Sequence, residues 1–360
     1  GWVLEKRSFL CPDPGVSASR ADVIRILNAT RSITDTSQTS TSDSISFPSS
    51  FSITGNGGIV IDTPGNSVEI YNASYKGGTE VIRGFLQIPK GGALNGTSNI
   101  ILGRGSNTAT LINEGSINSG ELRVYRNSSV NNSGKIRINI GSSFLTNYGI
   151  LTNQSPGTIS IEDTKTTSGA IFNYGPFNYG YTYNAGSIEA RYLFNSDKPL
   201  DSSLSNKISY YKKYLRNGIQ KLSAVIHNGD QGTIAIRGFT ENKGLIINEG
   251  LIQSNGFENS SAAIIAINGK SAKIKSDINN NGLITGTGSI EGDLYNEGTL
   301  APGNSIGTLT VDGDYYQGIT NPNASLNIEV DGSTSDLLKI TGDSRTILLG
   351  GNLNISSIPG

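Results

Sequence analysis

This chain is poor in the residues that enzymes and disulfide-stapled modules are usually built from. Its 360 residues include no methionine, one cysteine, one tryptophan, one histidine and only 11 prolines. Cys11 has no second cysteine to pair with, which excludes an intrachain disulfide framework. Such scarcity suits export, because unpaired thiols hamper folding in an oxidising compartment. A single histidine, His227, leaves few ways to build a zinc site or a histidine-dependent general base. Charged residues are 16% of the chain and the formal net charge is −1, so no global field draws in nucleic acid or an anionic membrane. No stretch approaches the roughly 18 apolar residues of a membrane-crossing helix. The opening Gly1-Trp2-Val3-Leu4 lacks the charged-then-apolar form of a signal peptide, and the chain reads as a processed or trimmed product.

What is abundant is turn chemistry. There are 46 glycines without a collagen period, set among Asn, Ser and Thr with interspersed Ile and Leu. Short Asn-x-Gly-x-(Ile/Leu) units recur: Asn113-Glu-Gly-Ser-Ile117, Asn132-Ser-Gly-Lys-Ile136, Asn147-Tyr-Gly-Ile-Leu151, Asn242-Lys-Gly-Leu-Ile246, Asn248-Glu-Gly-Leu-Ile252, Asn280-Asn-Gly-Leu-Ile284 and Asn296-Glu-Gly-Thr-Leu300. Each reads as apolar strand, corner, apolar strand, with Asn capping the corner and Gly expected to supply a positive φ there. In Lys135–Ile140 the alternation is expected to put Ile136, Ile138 and Ile140 on one inward face. One such unit cannot bury its inner face alone; stacking at about 4.8 Å makes a continuous apolar column. In-register Asn amides are expected to form ladders. The fold class is therefore all-β, a parallel β-helix (solenoid).

Three stretches break the repeat. Residues 1–50 are assigned as an N-terminal cap or irregular segment, since a solenoid end must be covered; within it, 17–27 is expected as a short helix or an edge strand. Rungs follow over 51–190. Residues 191–226 form a basic, Tyr-rich insertion, in which 205–218 has Ser205 as N-cap, Ile208, Tyr211 and Leu215 on one face, and Gly218 as the stop, predicting one helix. Rungs resume over 227–360.

The stretch 296–317, containing Ala301-Pro302-Gly303-Asn304-Ser305, then Ile306-Gly307-Thr308-Leu309 and Gly313-Asp314-Tyr315-Tyr316-Gln317, resembles the passenger domains of bacterial autotransporters. The likeness extends through Asp336–Gly342, is good over 280–355, generic over 109–290, and absent from 1–50 and the insertion. It implies a right-handed coil and an extracellular or outer-membrane-associated surface protein. A translocating β-barrel, which the family carries, is not among these 360 residues, so membrane attachment would run through an anchor or barrel beyond them.

Candidate chemistry is sparse. Gly303-Asn304-Ser305-Ile306-Gly307 matches the form of a nucleophile elbow, but that device needs a helix to follow and a later histidine; a turn is expected instead. The acids Asp312, Asp314, Glu329, Asp331, Asp336 and Asp343 are the densest set and are read mainly as turn-forming or solvated, with a polysaccharide-degrading enzyme as the alternative. The aromatics Phe172, Tyr174, Phe177, Tyr179, Tyr181 and Tyr183 are read as stacking along successive rungs, the alternative being a sugar platform. Lys207, Tyr210, Tyr211, Lys212, Lys213, Tyr214 and Arg216 form the candidate binding site, because Tyr gives broad amphipathic contact and Lys/Arg adds steering. No catalytic residue, metal or cofactor is expected. The function expected is a non-catalytic adhesin or passenger stalk that mediates attachment to a surface glycan or protein, or a filament or sheath subunit binding copies of itself.

Overall fold

The computed structural model describes residues 17–18, 24–27, 44–47, 49–50, 52–140, 143–162, 170–173, 180–195, 224–303 and 305–357. The chain divides into two compact units, Gly1–Gly169 and Ala170–Gly360. All the described regular structure is strand, and nearly all pairing is parallel and in register, so each unit is a β-helix with three strands to the rung. The expected helix over 205–218 lies outside the described residues; at the margins of the 191–226 insertion, Tyr192–Asn195 and Val225–Asn228 are rung strands.

In the first unit one strand ladder climbs through 85–88, Ala109–Asn113, Ser129–Asn132 and Ile150–Asn153. A second runs through Asn72–Tyr75, Ala93–Thr97, Ser116–Ser119, Lys135–Ile138 and Thr158–Ile161. The third runs through 79–81, Ile100–Leu102, Glu121–Val124 and Phe144–Asn147. Parts of residues 1–50 join these ladders: Ser17–Ala18, Ile24–Leu27 and Ser44–Phe47 pair in parallel with strands of the first regular rungs. That stretch therefore supplies rung strands, and Ile24–Leu27 is strand, not helix.

In the second unit the first ladder passes through Ala170–Asn173, Tyr192–Asn195, 240–242, 257–259, Ile278–Asn280, Leu294–Asn296, Tyr315–Gln317 and Ile347–Leu349. The second passes through Tyr181–Asn184, Val225–Asn228, Leu245–Asn248, Ile264–Ile267, Leu283–Gly286, Thr299–Pro302, Ser325–Asp331 and Asn352–Ser357. The third rises from Ser187–Ala190 through 233–236, 251–254, Lys273–Lys275, Ser289–Glu291 and Thr308–Asp312 to Leu337–Thr341.

Alternation puts one side chain in two into the bore, as with Ile136, Ile138, Ile159, Ile161, Ile246, Ile265 and Ile284, all buried. Ile140 does not follow Ile138 inward. The strand ends at Ile138, the chain turns, and Ile140 is left 37% exposed.

Candidate functional site

The corners explain the repeat. Asn132 donates through Nδ2 to Oδ1 of Asn153 at 2.7 Å and receives the same bond from Asn113 at 2.7 Å. In the second unit the chain of amides is longer: Asn173, Asn195, Asn242, Asn259, Asn280 and Asn296 are linked in order at 2.7–2.9 Å. A separate column joins Asn184, Asn228 and Asn248. The remaining amide hydrogens reach backbone carbonyls, as from Asn242 to Ile264 O at 3.0 Å, and Oδ1 takes the amide of the glycine two residues on, as at Gly244. All these asparagines are buried, and satisfying both ends of the amide, at every one but Asn113 whose Oδ1 has no partner, is what makes that tolerable.

The corner glycines are needed for a different reason from the one expected. Gly115, Gly134, Gly149, Gly250, Gly282 and Gly298 are not among the glycines with positive φ. Instead, a Cβ on Gly134 would overlap the Gly115 carbonyl oxygen, one on Gly298 that of Gly282, and one on Gly250 that of Gly232. Stacked corners lie too close for any side chain.

The Gly303–Gly307 motif joins two strands, Thr299–Pro302 and Thr308–Asp312, with no helix following. Gly303, at φ +88°, donates to Gly286 O at 2.7 Å, and its own carbonyl accepts from Thr285 Oγ1 at 3.0 Å. Asp336 holds the turn, accepting the amides of Gly307 and Glu329 at 2.9 Å each. Burial raises the Asp336 pKa, and the two amide bonds partly offset it. His227 is bonded to Glu249, Nε2 to Oε2 3.0 Å, several rungs away from Ser305. Two of the other acids are also engaged: Asp312 faces Arg345 at 3.4 Å, and Asp314 accepts from Thr346 N and Tyr316 Oη at 3.0 Å each. Among the described residues no three His, Cys, Asp or Glu side chains converge to hold a metal ion.

Lys207, Tyr210, Tyr211, Lys212, Lys213, Tyr214 and Arg216 lie outside the described residues, as do Tyr174, Phe177 and Tyr179. What is described is the ground on either side of them. Asn195 Nδ2 donates to Ala224 O at 3.3 Å, closing the two ends of 196–223 onto one corner. Around that corner, Phe172 and Phe194 stack on the outer face with centroids 5.2 Å apart and planes at 9°. Tyr192 leans on Phe194 at 6.3 Å, the Arg191 guanidinium sits 5.4 Å from the Tyr192 ring centroid, and Tyr183 meets His227 edge-on at 5.2 Å. The aromatics thus stack along successive rungs outside the bore, leaving half-buried rings and a cation at the surface.

A second outward strip was missed in the sequence. Tyr295 and Tyr316 stack at 4.8 Å beside an aspartate ladder, in which Asp293 N donates to Asp277 Oδ1 at 2.9 Å and Asp314 N to Asp293 Oδ1 at 2.8 Å. Burial and then the three carboxylates raise the Tyr295 pKa. The signal was an Asp standing just before each of the strands Ile278–Asn280, Leu294–Asn296 and Tyr315–Gln317. Nearby, Glu297 accepts the amides of Ile319, Thr320 and Asn321 at 3.0, 3.1 and 2.6 Å. Burial pushes its pKa up, but these bonds outweigh burial and hold it below the ordinary value.

No family model matches the chain, and no curated protein matches it. Among solved structures, the crystal structure of a TibC-catalyzed hyper-glycosylated TibA fragment aligns over 95% of this chain and 100% of that one, with 13% identity and a TM-score of 0.33. A TM-score that low does not establish a shared fold or role.

Proposed function

We propose that the chain is a non-catalytic, secreted or cell-surface β-helical protein, an adhesin or passenger stalk that mediates attachment. The observation that carries this reading is how the side chains are spent. Inward asparagines are consumed in amide ladders, Asp336 in a turn and Asp312 in an ion pair, and what is offered to a partner is outward surface. The aromatic and basic group of Phe172, Arg191, Tyr192 and Phe194 lies at the root of the 196–223 segment, whose Lys207, Tyr210, Tyr211, Lys212, Lys213, Tyr214 and Arg216 are the proposed contact residues. Stacked aromatics with interleaved cations suit a surface glycan or a protein ligand. The resemblance of 296–317 to autotransporter passengers supports an extracellular location.

Replacing Lys212, Lys213 and Arg216 together with Ala tests the site by attachment to glycan arrays and to cells. Weakened attachment at an unchanged melting temperature is expected; unchanged attachment removes these residues from the function.

A further inference from the structure

One corner of the first unit carries an arginine on each of three successive rungs. The bore residues Val81, Leu102 and Val124 of the third ladder are register partners. Two residues after each comes an arginine: Arg83, Arg104 and Arg126. The residue that follows has positive φ in every case, Gly84 at +94°, Gly105 at +76° and Asn127 at +64°. Gly and Asn accept that conformation cheaply, and it turns the chain toward the first ladder directly after the arginine. Groups that recur once per rung are about 4.8 Å apart, so the three make a row running across the strands. Beside it, Tyr125 and Tyr148 donate their amides to Leu102 O and Val124 O at 3.0 and 2.8 Å, and their half-buried rings stack with centroids 6.1 Å apart.

Two of these arginines already touch acids. Arg83 Nη2 donates to Asp62 Oδ2 at 2.9 Å, and Arg104 Nε faces Glu80 Oε1 at 3.3 Å. Both arginines are exposed, Arg104 at 61%, and ion pairs in water hold weakly. A guanidinium carries five N–H donors in a planar fork, so one carboxylate leaves donors over. Like charges a rung apart repel, and an extended anion laid along the row relieves that repulsion. The net charge of −1 disfavours nucleic acid as that anion, while the tyrosines offer apolar ring surface to the C–H faces of sugars. We propose that Arg83, Arg104 and Arg126, with Tyr125 and Tyr148 beside them, bind a linear acidic glycan whose uronate carboxylates lie along the row. The site deepens the attachment reading, on which the choice of a glycan rests, and shares no residue with the contact set around Lys212.

The test is fluorescence polarisation of an end-labelled oligogalacturonate titrated with the full chain at low salt. Binding is expected, and the same oligomer with its carboxyls methyl-esterified is expected not to bind. Arg104→Gln with Arg126→Gln is expected to weaken binding about tenfold or more, whereas Arg137→Gln, which removes the same charge from the second ladder, leaves it within about twofold. If the double variant melts early, Arg104→Gln alone decides, with a loss of about threefold expected at this exposed side chain. Equal losses from Arg104→Gln and Arg137→Gln, no binding by the parent chain, or equally tight binding of an oligodeoxynucleotide of matched charge overturns the proposal. The chain with Lys212, Lys213 and Arg216 replaced by Ala is expected to bind the oligogalacturonate as the parent does. Loss of binding there overturns this site, while the attachment of that variant to cells judges the other contact set separately.

Discussion

The two units share one rung plan but cover it differently. In the first, the second ladder turns Lys135 and Arg137 to solvent, and Arg137 pairs across the surface with Glu162 at 2.5 Å. In the second, the ladder through Leu245–Asn248 and Ile264–Ile267 turns Leu245, Ile247 and Ile264 outward and buries them. Their polar ladders differ as well. Among the described residues three linked asparagines run through the first unit, whereas the second has one column of six beside another of three. The first column begins at Asn113, above Ile88, and the Asn113 Oδ1 has no partner. The lesson is that a parallel coil sets only the inward period. Its outer wall is free to be solvated or apolar, and its corner position accepts Asn or Ile at some cost in unsatisfied groups.

The largest test of this difference is a charge on each outer wall. Ile247→Asp is expected to cost about 4 kcal/mol by burying an unpaired carboxylate, whereas Arg137→Ala is expected to cost no more than about 0.5 kcal/mol, as for an exposed pair. Hydrogen exchange on peptides from each unit reads both, and equal losses would erase the distinction. Next come the corners. Gly298→Ala, which drives a Cβ into the rung below, is expected to cost about 3 kcal/mol. Gly91→Ala, at φ +83° with open space around it, costs about 1 kcal/mol from backbone strain alone. If Gly91→Ala were the worse of the two, close stacking would not be what selects glycine at the corners.

Smaller again is the ladder contrast. Asn259→Leu breaks bonds to both neighbours and is expected to cost about 2 kcal/mol. Asn113→Leu, at the end of its column, is expected to cost about 1 kcal/mol, since one neighbour bond is lost. The smallest effect is with acid. Glu297 has a folded pKa below its ordinary 4.5, so its contribution is present above that value and is lost as pH falls through the folded pKa. Glu297→Gln is expected to flatten the acid limb of unfolding for the second unit only; a change confined to alkaline pH would contradict the sign.

Much of the coil was legible because its period is local. Asn242-Lys-Gly and Asn280-Asn-Gly state a corner in three residues, and the amide ladders followed from stacking them. What glycine does there was not legible: positive φ is a property of one residue, whereas the clash of Gly134 with Gly115 exists only once two rungs are stacked. The double-sided burial had a signal that alternation hid. Leu245-Ile246-Ile247 and Ile264-Ile265-Ala266-Ile267 are continuous apolar runs, the mark of strands covered on both faces. Nothing local tells which segment covers them. The proposed contact residues, Lys212 and its neighbours, rest on sequence chemistry and on the geometry of their roots at Asn195 and Ala224.

The asparagine columns all point one way, each Nδ2 handing its hydrogen to the next Oδ1. At the far end the hydrogen passes to a main-chain oxygen, as from Asn248 to Lys273 and from Asn296 to Ser325. A column can therefore stop after any whole turn without stranding a donor. Length becomes an adjustable quantity: duplication or loss of a turn leaves the same terminal arrangement behind, and a lineage can lengthen or shorten the coil in steps without redesigning its ends.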